Sequence, residues 1–99
     1  MTFDEIVEAI KTRATGADAL GAKIKFALGE GQNILIDGTG DGNEVSTDDG
    51  EANTTVKASM DDFSSLMKGD LNPMGAFMSG KLKIDGDMGL AMKLQSFLG

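Results

Sequence analysis

A chain of 99 residues lies near the commonest domain size and is long enough to bury a single core. Sixteen acidic residues against nine basic ones give a net charge of −7, which disfavours nucleic acid or an anionic membrane surface as the main partner. No cysteine, histidine, tyrosine or tryptophan is present, which excludes disulfides, thiolate or imidazole metal sites and serine–histidine relays. Glycine, at 14 residues, is about twice its usual ~7% share, so short elements joined by tight turns are expected.

Thr2 and Glu5 form a capping box, and Phe3, Ile6, Val7 and Ile10 follow at helical spacing. With Ala14 they cover an arc of roughly 100°, the width of a helix packed on one face; Gly16 ends it. Ala22, Ile24, Phe26 and Leu28 alternate with Lys23, Lys25 and Ala27 as a half-buried strand. Gly29 to Gly31 has hairpin length, and Ile34-Leu35-Ile36 makes a second, more buried strand. A turn over Gly38 to Gly42 leads to a weak strand over Asn43 to Thr47, centred on Val45. After Asp48-Asp49-Gly50, Ala52, Thr54, Val56 and Ala58 alternate along a fourth strand.

Ser59 and Asp62 start a helix in which Met60, Phe63, Leu66 and Met67 share a face, and Gly69 closes it. Asn72 is an N-cap with Pro73 at the first helical position, and Met74, Phe77 and Met78 fall on one side. Gly80 stops this helix where a left-handed residue is wanted. Lys81-Leu82-Lys83-Ile84 alternates charged and apolar, so Leu82 and Ile84 point to one side of a sheet. These three faces are expected to meet in one interior. Asp85 to Asp87 is a turn that caps a last helix beginning at Met88. Its Leu90, Ala91, Met92, Leu94, Phe97 and Leu98 spread over roughly 220°, about twice the first helix's arc, so one sheet face does not cover them.

The order helix, four strands, two helices, strand, helix, with hairpin-connected strands, predicts an α+β domain. In it, helices cover one face of a five-stranded, mostly antiparallel sheet. Met1 to Ile6 lacks a basic region followed by an apolar run, and no stretch approaches the ~18 apolar residues that span a bilayer, so a cytoplasmic protein is expected. The loop Asp37-Gly-Thr39-Gly-Asp41-Gly42-Asn43, with Asp48 beyond it, roughly follows calcium-loop spacing. Glu44 stands where an apolar residue is usual, however, and Asp48 replaces the bidentate glutamate, so ordinary turn chemistry accounts for it. Asp61 and Asp62 sit at a helix start, where capping explains them, and Arg13 is expected on an exposed helix flank. No acid–base constellation emerges, and neither an enzyme nor a cofactor is predicted.

Met60-Asp61-Asp62-Phe63, then Met67-Lys68-Gly69-Asp70-Leu71-Asn72-Pro73, run on through Ala76-Phe77-Met78-Ser79-Gly80-Lys81-Leu82-Lys83-Ile84-Asp85-Gly86-Asp87 to Ala91-Met92-Lys93-Leu94. This block resembles the sterol carrier protein-2 (SCP-2) domain family, and the element order upstream matches as well. The resemblance implies an apolar tunnel between sheet and helices, loosely selective for fatty acids, acyl-CoA, phospholipids or sterols, with no catalytic residues. Carried over by position, the tunnel walls would draw on Phe63, Met67, Met74, Phe77, Met78, Leu82, Ile84, Met88, Met92 and Phe97. Two features depart from the family. The sequence ends Phe97-Leu98-Gly99 rather than in a Ser-Lys-Leu type of signal, so a peroxisomal address gains no support. Gln32-Asn33 stands where many members open the second strand with tryptophan.

The residues themselves point the same way. Methionine is unbranched and polarizable and re-packs around guests of differing shape; six of the seven here lie at or beyond position 60. The plainer alternative is a structural or regulatory module whose methionines simply fill a core. An acyl tail burying about ten methylenes gains on the order of 8 kcal/mol before association costs, which makes micromolar affinity roughly its ceiling. That energy is non-directional and needs no head-group code. Lys81, Lys83 and Lys93 are candidates to meet an anionic head, although Lys81 and Lys83 also fit the solvated side of an alternating strand. The expected partner is thus a lipid or acyl-chain ligand, bound by a monomer with at most transient membrane contact.

Overall fold

The computed structural model describes residues 2–29 and 31–93. Helix α1 spans Phe3–Thr15, followed by strands β1 (Lys23–Ala27), β2 (Asn33–Asp37), β3 (Glu44–Ser46) and β4 (Thr54–Ala58). Helices α2 (Met60–Lys68) and α3 (Pro73–Met78), strand β5 (Leu82–Gly86) and helix α4 (Met88–Lys93) complete the order. The expected last helix begins at Met88 as predicted, while Leu94, Phe97 and Leu98 lie outside the described residues.

The five strands form one sheet in the order β3-β2-β1-β4-β5. All neighbours are antiparallel except β1 and β4, which run parallel. Here the structure corrects the expectation of a simple hairpin run. β3 ends as an edge strand, and the chain crosses back to place β4 beside β1. Burial explains the choice. β3 is three residues long with no buried side chain, whereas Thr54 and Val56 of β4 are fully buried and need neighbours on both sides.

Register aligns one inner face: Ile24 opposite Ile36 and Thr54, Phe26 opposite Ile34 and Val56, and Ile84 opposite Val56. Ile6, Val7, Ile10 and Ala14 of α1 and Phe63, Leu66 and Met67 of α2 close over this face in one core cluster. Each fully buried aliphatic or aromatic side chain contributes about 1.5–3 kcal/mol, so this cluster is what fixes the helices to the sheet. Arg13, expected on an open flank, instead reaches α2, where its Nη2 donates to the Met67 carbonyl at 3.0 Å. It thereby occupies one of the carbonyls that a helix end leaves unpaired.

The opposite face carries Lys23, Lys25, Leu35, Thr55, Lys57, Lys83 and Asp85. The connection from β3 to β4 passes over part of it. Asp49 pairs with Lys25 at 2.8 Å, and Gly50 lies against Leu35.

Candidate functional site

The edge built from β5 and its two flanking helices holds seven of the ten positions singled out above; Phe63 and Met67 stand on α2, and Phe97 lies outside the described residues. Local signals set the edge up. Asn72 Oδ1 accepts from the N–H groups of Met74 and Gly75 at 2.8 and 3.3 Å, fixing the start of α3. Gly80, at φ +81°, provides the left-handed stop, and the Lys81 N–H donates to the Ala76 carbonyl at 2.9 Å. At the far end of β5, Gly86 adopts φ +119°, and a Cβ there would stand 2.4 Å from the Asn53 carbonyl oxygen. Only glycine fits. Buried Thr54 then fastens α4: its Oγ1 accepts from the Asp87 N–H and donates to the Asp87 carbonyl, both at 3.0 Å.

The nine positions divide into two sets. Phe63, Met67 and Leu82 are buried in the core cluster, and Ile84 is half-buried against it. The Phe63 ring packs on Phe26 with centroids 5.1 Å apart and planes tilted by 51°, a geometry favourable to aromatic pairs. Met74, Phe77, Met78, Met88 and Met92 are exposed instead, Met78 at 80% and Met92 at 65%. The expectation that the α3 side chains point into the shared interior is therefore corrected. α3 packs on β5 through Ala76, which is fully buried, and Met74 and Met78 stand roughly 160–200° away on the wheel. A small residue lets this short helix approach the strand closely and turns its long side chains outward.

Five exposed apolar side chains thus stand on α3 and α4, the helices that flank β5, while Phe63, Met67 and Leu82 belong to the buried core. Among the described residues the carboxyl groups displaced from their ordinary range lie in local turns and caps elsewhere. Glu5 is lowered chiefly by the Thr2 backbone N–H, and Asp37 by the Thr39 hydroxyl. In the loop that roughly follows calcium spacing, Asp37 is thus engaged by Thr39. Asn43 there is a bracket: Oδ1 accepts from the Leu20 N–H at 2.9 Å, and Nδ2 donates to the Asp18 carbonyl at 3.0 Å. Among the described residues no group of three or more Asp or Glu is placed to hold a metal ion.

Sequence reasoning did not anticipate a second feature, a cleft of about 590 Å³ where β1 and β4 end and β5 begins. Leu28, Ala58, Lys57, Lys81, Lys83 and Asp62 are among its walls. Lys57 and Lys83 were each legible as the polar position of an alternating strand. Their juxtaposition depends on the β4–β5 register, which the sequence does not state.

A profile of the SCP-2 sterol transfer family matches residues 3–99. The chain belongs to that family. Human sterol carrier protein 2 is 49% identical over 57 residues, covering 58% of this chain and 10% of that protein. The chain thus spans about a tenth of the length of that relative. Among solved structures, apo sterol carrier protein 2 from Yarrowia lipolytica superposes with a TM-score of 0.66 at 26% identity, over 95% of this chain and 73% of that one. The Aedes aegypti sterol carrier protein-2, solved in complex with the C16 fatty acid palmitate, gives 0.74 at 23% identity over 100% and 97%. The SCP-2 assignment agrees with the sheet and helix arrangement found here, and the resemblance read from Met60 to Leu94 falls within the matched region.

Proposed function

We propose that this SCP-2 family member is a non-catalytic carrier that binds the acyl chain of a fatty acid, acyl ester or related lipid. The tail would lie along the α3–β5–α4 edge, above Phe63, Met67, Leu82 and Ile84 and beneath Met74, Phe77, Met78, Met88 and Met92. The observation that carries this reading is the set of five long apolar side chains left exposed beside the core. Exposed apolar surface gathered in one region marks a site for an apolar partner. Family membership supports it, and so does the palmitate complex of the Aedes aegypti protein.

The chemistry required is burial of the tail, which calls for neither a cofactor nor a catalytic group, and the reading takes the protein to act as a monomer in the cytoplasm. Contact with a membrane is limited to the moment of loading or delivery; among the described residues no helix is long and apolar enough to cross one. The test is titration of delipidated protein with a fluorescent fatty acid. Saturable binding at one site in the micromolar range is expected. Absence of saturable binding in well-folded protein overturns the reading and favours a structural module whose core is filled by contacts such as Phe26 on Phe63.

A further inference from the structure

β5 stands at one end of the sheet, with β4 as its neighbour on the other side. An edge of this kind presents unpaired backbone groups to any strand that comes beside it. Charged side chains usually blunt such an edge, but on β5 their order invites a match. The run Lys81-Leu82-Lys83-Ile84-Asp85-Gly86-Asp87 carries two cations before its central isoleucine and two anions after it. Laid antiparallel on a second copy, about a twofold axis at Ile84, it sets Lys83 against Asp85 and Lys81 against Asp87, each twice. Opposite positions in this register are both odd or both even, so backbone groups that point off one edge meet their counterparts on the other. The sheet's other edge, β3, offers nothing similar: Glu44-Val45-Ser46 turned about its middle residue pairs a carboxylate with a hydroxyl.

We propose that the ligand-free chain forms a symmetric dimer with a second copy through antiparallel pairing of β5, which joins the two five-stranded sheets into one. The charges on β5 favour this occupant. Lys83 lies directly across from Lys57 within its own chain, a like-charge relation that costs a sheet stability. Lys83 and Asp85 are both exposed, and among the described residues neither takes an ion pair. Asp85 of a second copy supplies the carboxylate that Lys83 lacks. On the inner face, half-buried Ile84 meets its own symmetry mate. The same axis brings α3 and α4, which pack on β5, toward those of the second copy, so that Met74, Phe77, Met78, Met88 and Met92 gain cover. A net charge of −7 on each copy opposes association and keeps the affinity low. The inference stands on the sheet edge rather than on acyl binding. A tail and a second copy would cover the same side chains, so the loaded carrier is the monomer.

The experiment is sedimentation velocity on delipidated protein across a concentration series, with circular dichroism to check folding. A monomer–dimer equilibrium with a dissociation constant below about 1 mM is expected. Lys83→Asp and Asp85→Lys each make both symmetry-related pairs repulsive, and each should weaken the dimer at least about tenfold. Mixed in equal amounts, the two variants should pair with each other, because each then faces the opposite charge. Loss of structure does not produce that rescue. Natural protein that stays monomeric overturns the inference. So does a dimer indifferent to both substitutions, and so do variants that fail to associate when mixed. Saturating fatty acid, below its micelle-forming concentration, should return the natural protein to monomer; a dimer that stays intact when loaded overturns the competition. Titration with a fluorescent fatty acid separates the two readings. Saturable tail binding without any dimer leaves acyl binding standing and removes this inference, and a dimer without tail binding does the reverse.

Discussion

Met78 and Phe63 provide a pair of substitutions with opposite expected effects. Met78 is 80% exposed, so Met78→Gln should alter stability by no more than about 0.5 kcal/mol. Phe63 is fully buried against Phe26, and Phe63→Ala should cost about 3–5 kcal/mol. A chain of this length has roughly 5–15 kcal/mol in total, so the second change removes a large part of it. Affinity should behave the other way. Fully burying a methionine or phenylalanine side chain is worth about 1.5–3 kcal/mol, and a guest that covers half of such a surface recovers about 1 kcal/mol from each. Met78→Gln alone should then weaken acyl binding about fivefold, and together with Phe77→Gln at least about tenfold. The chain has no tryptophan or tyrosine, so urea unfolding is followed by far-ultraviolet circular dichroism and probe fluorescence has no intrinsic background. A folded Phe77→Gln/Met78→Gln protein that binds a fluorescent fatty acid as tightly as the natural sequence refutes the placement of the site on α3.

Two further changes test how the fold is fastened. Thr54→Val removes the hydroxyl that satisfies both the N–H and the carbonyl of Asp87; a loss of about 1–3 kcal/mol is expected. Amide exchange should accelerate in α4 well beyond any change in α1, and uniform acceleration would show that the hydroxyl does not act locally. Glu5 is held below its ordinary pKa of 4.5 by its bonds to Thr2, so its ionised form favours the folded chain. That contribution is present above the unfolded value and is lost as pH falls through the lower folded one. Glu5→Gln should therefore flatten the decline of the urea midpoint between about pH 6 and 3, and parallel declines would remove Glu5 from the account.

Local and periodic signals in the sequence were legible because each depends on neighbours a few residues away. The Thr2–Glu5 capping box, the buried stripe Ile6–Val7–Ile10–Ala14 and the inner-face residues Ile24, Phe26 and Val56 follow from spacing alone, whereas the run Ile34-Leu35-Ile36 did not show that Leu35 turns to the outer face. The element order did the same for the α+β class. What spacing does not encode is which strands become neighbours. The parallel β1–β4 pair, and with it the meeting of Lys57 and Lys83, arises because β3 is too polar and short for a central place. α3 misled for a related reason: three large apolar residues outrank one alanine in any hydropathy pattern, but close approach of a helix to a strand selects the alanine. Arg13 was read from its own helix, and its partner, the Met67 carbonyl, lies 54 residues away.

These differences bear on why the exposed apolar side chains and the core occupy different parts of the fold. α1 is 13 residues long and buries four side chains, whereas α3 has six residues and buries one. A helix that short does not persist on propensity alone. α3 is held by Asn72, Gly80 and the buried Ala76, and α4 by Thr54 through Asp87 and by Leu90 against the core, so polar and backbone fastenings share the work with apolar packing at this edge. Met74, Phe77, Met78, Met88 and Met92 are thereby left out of the core that stabilises α1 and α2, and their apolar surface is still available. A guest that covers them adds burial to the two elements that have least of their own. Elements anchored this weakly open at lower free-energy cost than the core does. On the proposed placement the edge admits a tail while the Phe26–Phe63 pair stays packed, and binding would stabilise the part of the molecule that had to yield.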